Sequence, residues 1–153
     1  MKYIKLFENY EETDYDKVLN YIINGIHFNY EIFDTFIIKA VSQFLLNAVF
    51  FKNYAVSEYL INYDNIDLNK TNENAETPLN ILAFQYGKNN LTDHIVLELI
   101  FNLIDNGVDW NIVDDTDSYF LDWTNDLEDI LREKYPEKFK NYLKLRKSAS
   151  FNL

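Results

Sequence analysis

Apolar residues recur along this chain at the three- and four-residue spacing of a helix face, and no long apolar stretch alternates as a half-buried strand would. A first helix is capped by Asp14 or Asp16, carries Val18, Leu19, Ile22 and Ile23, and ends at Asn24-Gly25. A second opens at Asp34 or Thr35; Ile37, Val41, Phe44 and Ala48 form its stripe, with Ile38, Leu45 and Val49 beside it. A third covers 55–63, with Val56, Tyr59, Leu60 and Ile61 apolar. A fourth runs from Thr77 to near Gly87. Asn90 or Thr92 opens the fifth, whose Val96, Leu99, Ile100, Leu103 and Ile104 lead to Asn106-Gly107. Asp117 or Ser118 starts a helix through Trp123, and another begins at Asn125 or Asp126. Pro136 either kinks that last helix or opens a new one reaching Lys147, leaving 148–153 frayed. The expected class is all-α.

Between the helices one pattern repeats. Gly25-Ile26-His27-Phe28-Asn29, Asn65-Ile66-Asp67-Leu68-Asn69 and Gly107-Val108-Asp109-Trp110-Asn111 share the order (Gly or Asn)-apolar-polar-apolar-Asn, at intervals of 40 and 42 residues. Gly and Asn are the residues that tolerate the left-handed conformation closing a helix. After the middle copy, 72–76 is polar throughout, as an exposed tip would be. Thr77 then stands at an N-cap and Pro78 at the first helical position, where its missing N–H has no intrahelical acceptor to lose. Leu79, Ile81, Leu82 and Ala83 follow as a packing face.

Thr77-Pro78-Leu79-Asn80-Ile81-Leu82-Ala83 resembles the Thr-Pro-Leu-His-x-Ala core of the ankyrin repeat, with asparagine for histidine and an interval longer than the usual period of about 33 residues. The third unit keeps the leucine in Tyr119-Phe120-Leu121 but loses Thr and Pro, and Thr35-Phe36-Ile37 is the remnant in the first. Ala75 and Asp117 stand where the family prefers glycine, and aspartate accepts positive φ more readily than alanine. The resemblance is specific over 55–123, looser over 16–54 and absent after about 130. It implies an ankyrin-like helical repeat solenoid with short hairpin-like turns: a lead-in at 1–15, repeats over 16–130 and a capping helix at 131–147.

Composition narrows the function. A chain of 153 residues is expected to form one domain burying about two-thirds of its unfolded surface. A hydrophobic share of 48% and an aromatic share of 17% argue against disorder despite a net charge of −11. Three glycines and two prolines disfavour a turn-rich sandwich, and the absence of cysteine excludes disulfides and thiolate chemistry. The apolar stretch from Phe33 to Phe51 is interrupted by Asp34, Lys39, Gln43 and Asn47, so a cytoplasmic protein with no membrane span is expected. Residues 1–131 carry 7 basic and 23 acidic side chains, whereas 132–153 carry 7 and 2. The stretch from Asp105 to Asp129 has no Lys or Arg at all. An acidic face meeting a basic protein is the electrostatic reading, and nucleic acid is disfavoured as a partner. The opening Met1-Lys2-Tyr3-Ile4-Lys5-Leu6-Phe7-Glu8-Asn9-Tyr10 resembles the start of small proteins of large double-stranded DNA phages, which implies a host or defence protein as partner.

Catalytic and metal signatures are sparse. His27 and His94 are far apart, the three glycines form no phosphate loop, and Asp114-Asp115-Thr116-Asp117 misses the EF-hand spacing. No cofactor or metal is expected, and the chain is read as a non-enzymatic protein-interaction module. The family resemblance implies contacts through hairpin tips and the inner helix surface: Thr71, Asn72, Glu73, Asn74, Glu76, Phe84, Gln85, Asp114, Asp115, Asp117 and Asp126. Trp110 and Trp123 flank the second tip; they either join that surface or pack the last repeat against the C-terminal helix. Two rival classes are an acidic nucleic-acid mimic and an enzyme using a carboxylate pair such as Asp114 and Asp117.

Overall fold

The computed structural model describes residues 14–24 and 41–151; the Gly25 turn, the Asp34 or Thr35 cap and His27 lie outside the described residues, as does the Trp123 side chain. Among the described residues there are seven α-helices and one 3-10 helix, and no strand. The α-helices are α1 (Asp14–Asn24), α2 (Val41–Phe50), α3 (Tyr54–Ile61), α4 (Pro78–Gln85), α5 (Asp93–Asp105), α6 (Asn125–Lys134) and α7 (Pro136–Phe151). The 3-10 helix spans Phe120–Trp123. None of the described helices is long and apolar enough to cross a membrane.

The helices stack in pairs. α2 packs against α3 and α4 against α5; across the pairs α2 meets α4, and α3 meets α5. α1 lies on α2 at one end, and the 3-10 helix lies on α4 at the other. Most of these helices are short, and α4 is buried on every side from Pro78 to Ala83, so they gain their energy from neighbours rather than from their own length. Leu45, Ala48, Val49, Leu60, Leu82, Val96, Ile100 and Leu103 are all buried in one continuous core.

Local chemistry sets the ends of these helices. Lys52, at φ +59°, closes α2: its N–H reaches the Val49 carbonyl and the Asn53 N–H reaches that of Ala48. Asn53 then caps α3 by accepting from the Val56 N–H. At α4, the Asn80 Oδ1 accepts from both the Thr77 N–H (2.9 Å) and the Thr77 hydroxyl, while Thr77 Oγ1 accepts from the Asn80 N–H (3.2 Å). Gly107, at φ +88°, ends α5, with its N–H on the Ile104 carbonyl and the Val108 N–H on that of Leu103.

Two elements differ from the sequence expectation, and at Pro136 one of its two alternatives is realised. The segment expected to be α-helical from Asp117 or Ser118 through Trp123 is a four-residue 3-10 turn, because Thr124 is extended (φ −158°, ψ 119°) and stops propagation. Pro136 opens a separate helix after Tyr135 leaves helical geometry (φ −129°, ψ 58°). That helix continues beyond Lys147 to Phe151, with the Ser148 hydroxyl bonded to the Lys144 carbonyl one turn back.

An aromatic cluster seals the C-terminal end. Trp110 is only 6% exposed and lies edge-on to Phe120 at 5.5 Å and to Tyr135 at 6.3 Å between ring centres, with Tyr142 at 6.0 Å. Of the two expectations for Trp110, the packing role is the one realised, and its indole is withdrawn from the partner-binding set. Lys138 Nζ donates to the Ile104 carbonyl at 2.9 Å, supplying a cation to the C-terminus of α5. Arg146 bonds Asp122 and the Tyr142 hydroxyl, fastening α7 over the last turn.

Candidate functional site

Two hairpin-like tips stand side by side, built 42 residues apart to one plan. In the first, the Asn72 N–H donates to the Glu76 carbonyl, and Asn72 Oδ1 accepts from the N–H groups of Asn74 (2.9 Å) and Glu76 (3.0 Å). In the second, the Asp114 N–H donates to the Ser118 carbonyl, and Asp114 Oδ1 accepts from the N–H groups of Thr116 (2.8 Å) and Ser118 (3.1 Å). Ala75 (φ +58°) and Asp117 (φ +59°) hold the left-handed position of each turn. The following helix start also repeats. Asp122 Oδ2 accepts from the Tyr119 N–H at 2.9 Å, as Asn80 does from Thr77.

Bonds between units fix how the tips sit. The Asp109 N–H donates to Asn69 Oδ1 at 2.8 Å, and the Asp115 N–H donates to the Asn74 carbonyl at 2.9 Å. Below the tips, Asp67 and Asp109 each accept from the backbone N–H two residues on, and the Asp67 N–H donates to the Ser42 hydroxyl. Backbone and side chain together therefore set the spacing of the tips, so the site is pre-organised.

The predicted contact residues divide into two groups. Thr71, Glu73, Asn74, Asp115, Asp117 and Asp126 are exposed, and Phe84 is 51% exposed with Lys88 over its ring at 5.2 Å. Glu73, Asp115, Asp117 and Asp126 form no ion pair among the described residues. The other residues are tied into the scaffold. Asp114 is 6% exposed, and its Oδ1 also accepts from the Thr116 hydroxyl at 2.6 Å. Asn72 Nδ2 holds Glu76 Oε2 at 2.8 Å. Gln85 bridges units, donating to the Val49 carbonyl at 2.9 Å and accepting from the Tyr54 hydroxyl at 3.2 Å. Asp126 stands near Tyr86, whose hydroxyl pKa is pushed up by burial first and then by Asp93 and Asp126.

One side of the site was not foreseen from sequence. An open groove of about 690 Å³ runs between α2 and the first tip, lined by Leu46, Asn47, Phe50, Phe51, Thr71 and Glu73 among others. Phe50 is 59% exposed and Phe51 43%, with their rings edge-to-face at 5.2 Å. Phe50 lies off the Val41–Phe44–Ala48 stripe, and an aromatic outside the packing face was the available signal. The groove places a pair of exposed rings beside one unpaired carboxylate, Glu73. That combination suits a cationic, partly apolar segment. Among the described residues no three His, Asp or Glu side chains converge on one point. No protein-family profile, curated protein or solved structure matches this chain.

Proposed function

We propose that this chain is an ankyrin-like, non-enzymatic protein-binding module that takes a basic segment of a partner protein. The segment would lie across the two tips, with an apolar residue seated against Phe50 and Phe51. The observation that carries this reading is the pair of cross-linked tips: their backbone is fixed by Asn72, Asp114 and the bond from Asp115 to Asn74, while Glu73, Asp115 and Asp117 face solvent unpaired. A rigid, charged, solvent-facing array favours rapid, steered association and loses little entropy on binding. The 42-residue recurrence of turn, cap and helix supports the repeat architecture, as does the pairwise packing of α2–α3 on α4–α5.

The test neutralises the array without disturbing its frame. Glu73→Gln, Asp115→Asn and Asp117→Asn together keep side-chain size and the positive-φ tolerance at residue 117. A partner recovered with the parent protein is titrated against the triple variant and against Phe50→Ser/Phe51→Ser at two salt concentrations. The expected result is weaker binding for both, with a slower association rate for the triple variant that high salt makes indistinguishable from the parent. Equal affinity for parent and both variants would refute the site.

A further inference from the structure

A second groove, of about 710 Å³, follows the contact between α3 and α5 and shares no lining residue with the groove beside α2. Tyr54 and Glu58 line it from α3, Ile95, Glu98 and Asp105 from α5, and Lys134 from the end of α6. Its surface is mixed. Ile95 is 37% exposed, and the three carboxylates face solvent. Glu58 and Glu98 form no ion pair among the described residues, so each helix offers one uncompensated negative charge.

The chain itself shows what such a groove can hold. The Lys134 ammonium lies 4.6 Å from the centre of the Phe101 ring and 5.6 Å from that of Tyr135. The two rings meet edge to face at 6.0 Å, and the Tyr135 hydroxyl is fixed by Asp105 Oδ1 at 2.9 Å. Burial first, and then Asp105 and Glu98, raise the pKa of that hydroxyl, so both carboxylates bear on the place where the ammonium lies. Ring faces and carboxylates both favour a cation, and a primary ammonium on an alkyl stem is the one already there. Lys134 is exposed and forms no ion pair among the described residues. A lysine that reached Glu58 or Glu98 as well as the rings would therefore be held more strongly than Lys134 is.

We propose that the α3–α5 groove is a second docking site, which takes a lysine-bearing segment of a partner protein, and that Lys134 is the side chain this segment displaces. Ile95 and Tyr54 offer apolar surface to a neighbouring side chain of the segment, which a bare polyamine does not have. Self-occupancy by Lys134 lowers the apparent affinity by the fraction of the groove left open, so removing that lysine strengthens binding. The site does not use the tips, since none of their residues lines it.

The test uses the full chain carrying Glu73→Gln, Asp115→Asn and Asp117→Asn, so that the tips do not contribute. The probe is a short fluorescent peptide of alternating lysine and leucine, titrated by anisotropy at low and high salt and followed by NMR of the aromatic side chains. Binding should weaken as salt rises, and the Phe101 and Tyr135 resonances should shift. Lys134→Gln should tighten binding about threefold. Lys140→Gln, which removes the same charge from α7 outside the groove, should leave it unchanged. Glu58→Gln/Glu98→Gln should raise the dissociation constant about tenfold with the same far-UV circular dichroism. Aromatic resonances that stay in place would overturn the proposal, and so would a Lys134→Gln effect no larger than that of Lys140→Gln. Spermidine competing as well as the peptide would overturn the protein segment as occupant and put a small polyamine in its place.

Discussion

Asn80→Ala tests the hydrogen-bonded start of α4 most directly. The Asn80 side chain is 3% exposed, and its Oδ1 accepts from the Thr77 N–H and the Thr77 hydroxyl. Truncation leaves a buried N–H without an acceptor, which costs about 1–3 kcal/mol, and removes a second bond worth about 1 kcal/mol. Against this, Asn80 Nδ2 is itself buried without a partner, and its removal returns part of that loss. The balance is a destabilisation of roughly 2–3 kcal/mol. For a chain of this length that corresponds to about 4–12 °C in Tm. Asp122→Ala removes the same acceptor from the next unit, but that side chain is 28% exposed, so water can replace it for the Tyr119 N–H. It should cost about 1 kcal/mol, including the loss of its ion pair with Arg146. Urea unfolding of both variants, followed by circular dichroism, ranks them. A loss in Asn80→Ala below about 0.5 kcal/mol, or a larger loss in Asp122→Ala, would refute the reasoning.

Leu79→Ala should destabilise by roughly 2–5 kcal/mol, since the leucine is 1% exposed between stacked helices; a urea midpoint measures it. Asp114→Ala should cost about 2–3 kcal/mol by releasing the N–H groups of Thr116 and Ser118, and hydrogen exchange should report faster opening of the second tip. Ala75→Gly should stabilise by roughly 0.5–1 kcal/mol, because alanine at φ +58° is strained where glycine is not; a thermal melt gives the sign. At alkaline pH the chain should lose stability. Burial pushes the Tyr142 hydroxyl up to about 12, above its unfolded value of about 10. A raised folded pKa contributes stability that is complete below the unfolded value and is lost as pH climbs through the folded one. Urea midpoints should therefore fall between pH 10 and about 12, less steeply for Tyr142→Phe.

Local signals in the sequence mark the turns most clearly. Asn65 and Gly107 do take positive φ, as do Ala75 and Asp117, because a left-handed backbone leaves a mark in residue type or in the phase of its neighbours. Thr77 and Pro78 marked the start of α4 for the same reason: a cap is decided by a few adjacent residues. Residue type says less about which side chains remain free. Asp114 and Gln85 read as surface candidates, yet the first is locked inside its own turn and the second crosses to α2 and α3, contacts that only the stacked fold creates. Trp110 was equally open. Its alignment with Leu68, buried in the preceding unit, held the answer. The short 3-10 turn at Phe120 depended on the backbone of Thr124, which no apolar period records.

The bonds between units also determine how this chain can lengthen. The Asp67 N–H reaches back to Ser42, and the Asp109 N–H reaches back to Asn69. Asn111 occupies the place of Asn69 in the last unit, and its Oδ1 is buried without a donor. In the last unit the chain itself covers this acceptor without offering it the N–H that Asn69 receives. An in-frame tandem duplication of residues 70–111 would supply that donor from its own copy of Asp109, together with a second α4–α5 pair and a third tip. Growth by duplication would reuse the bond from Asp109 to Asn69, whereas the packing of an α4–α5 pair on its own copy would be new, because in the parent α4 meets α2 on one side and the 3-10 helix on the other. By this route the array of tips would extend in whole steps, with Phe120 and Tyr142 still closing the C-terminal end.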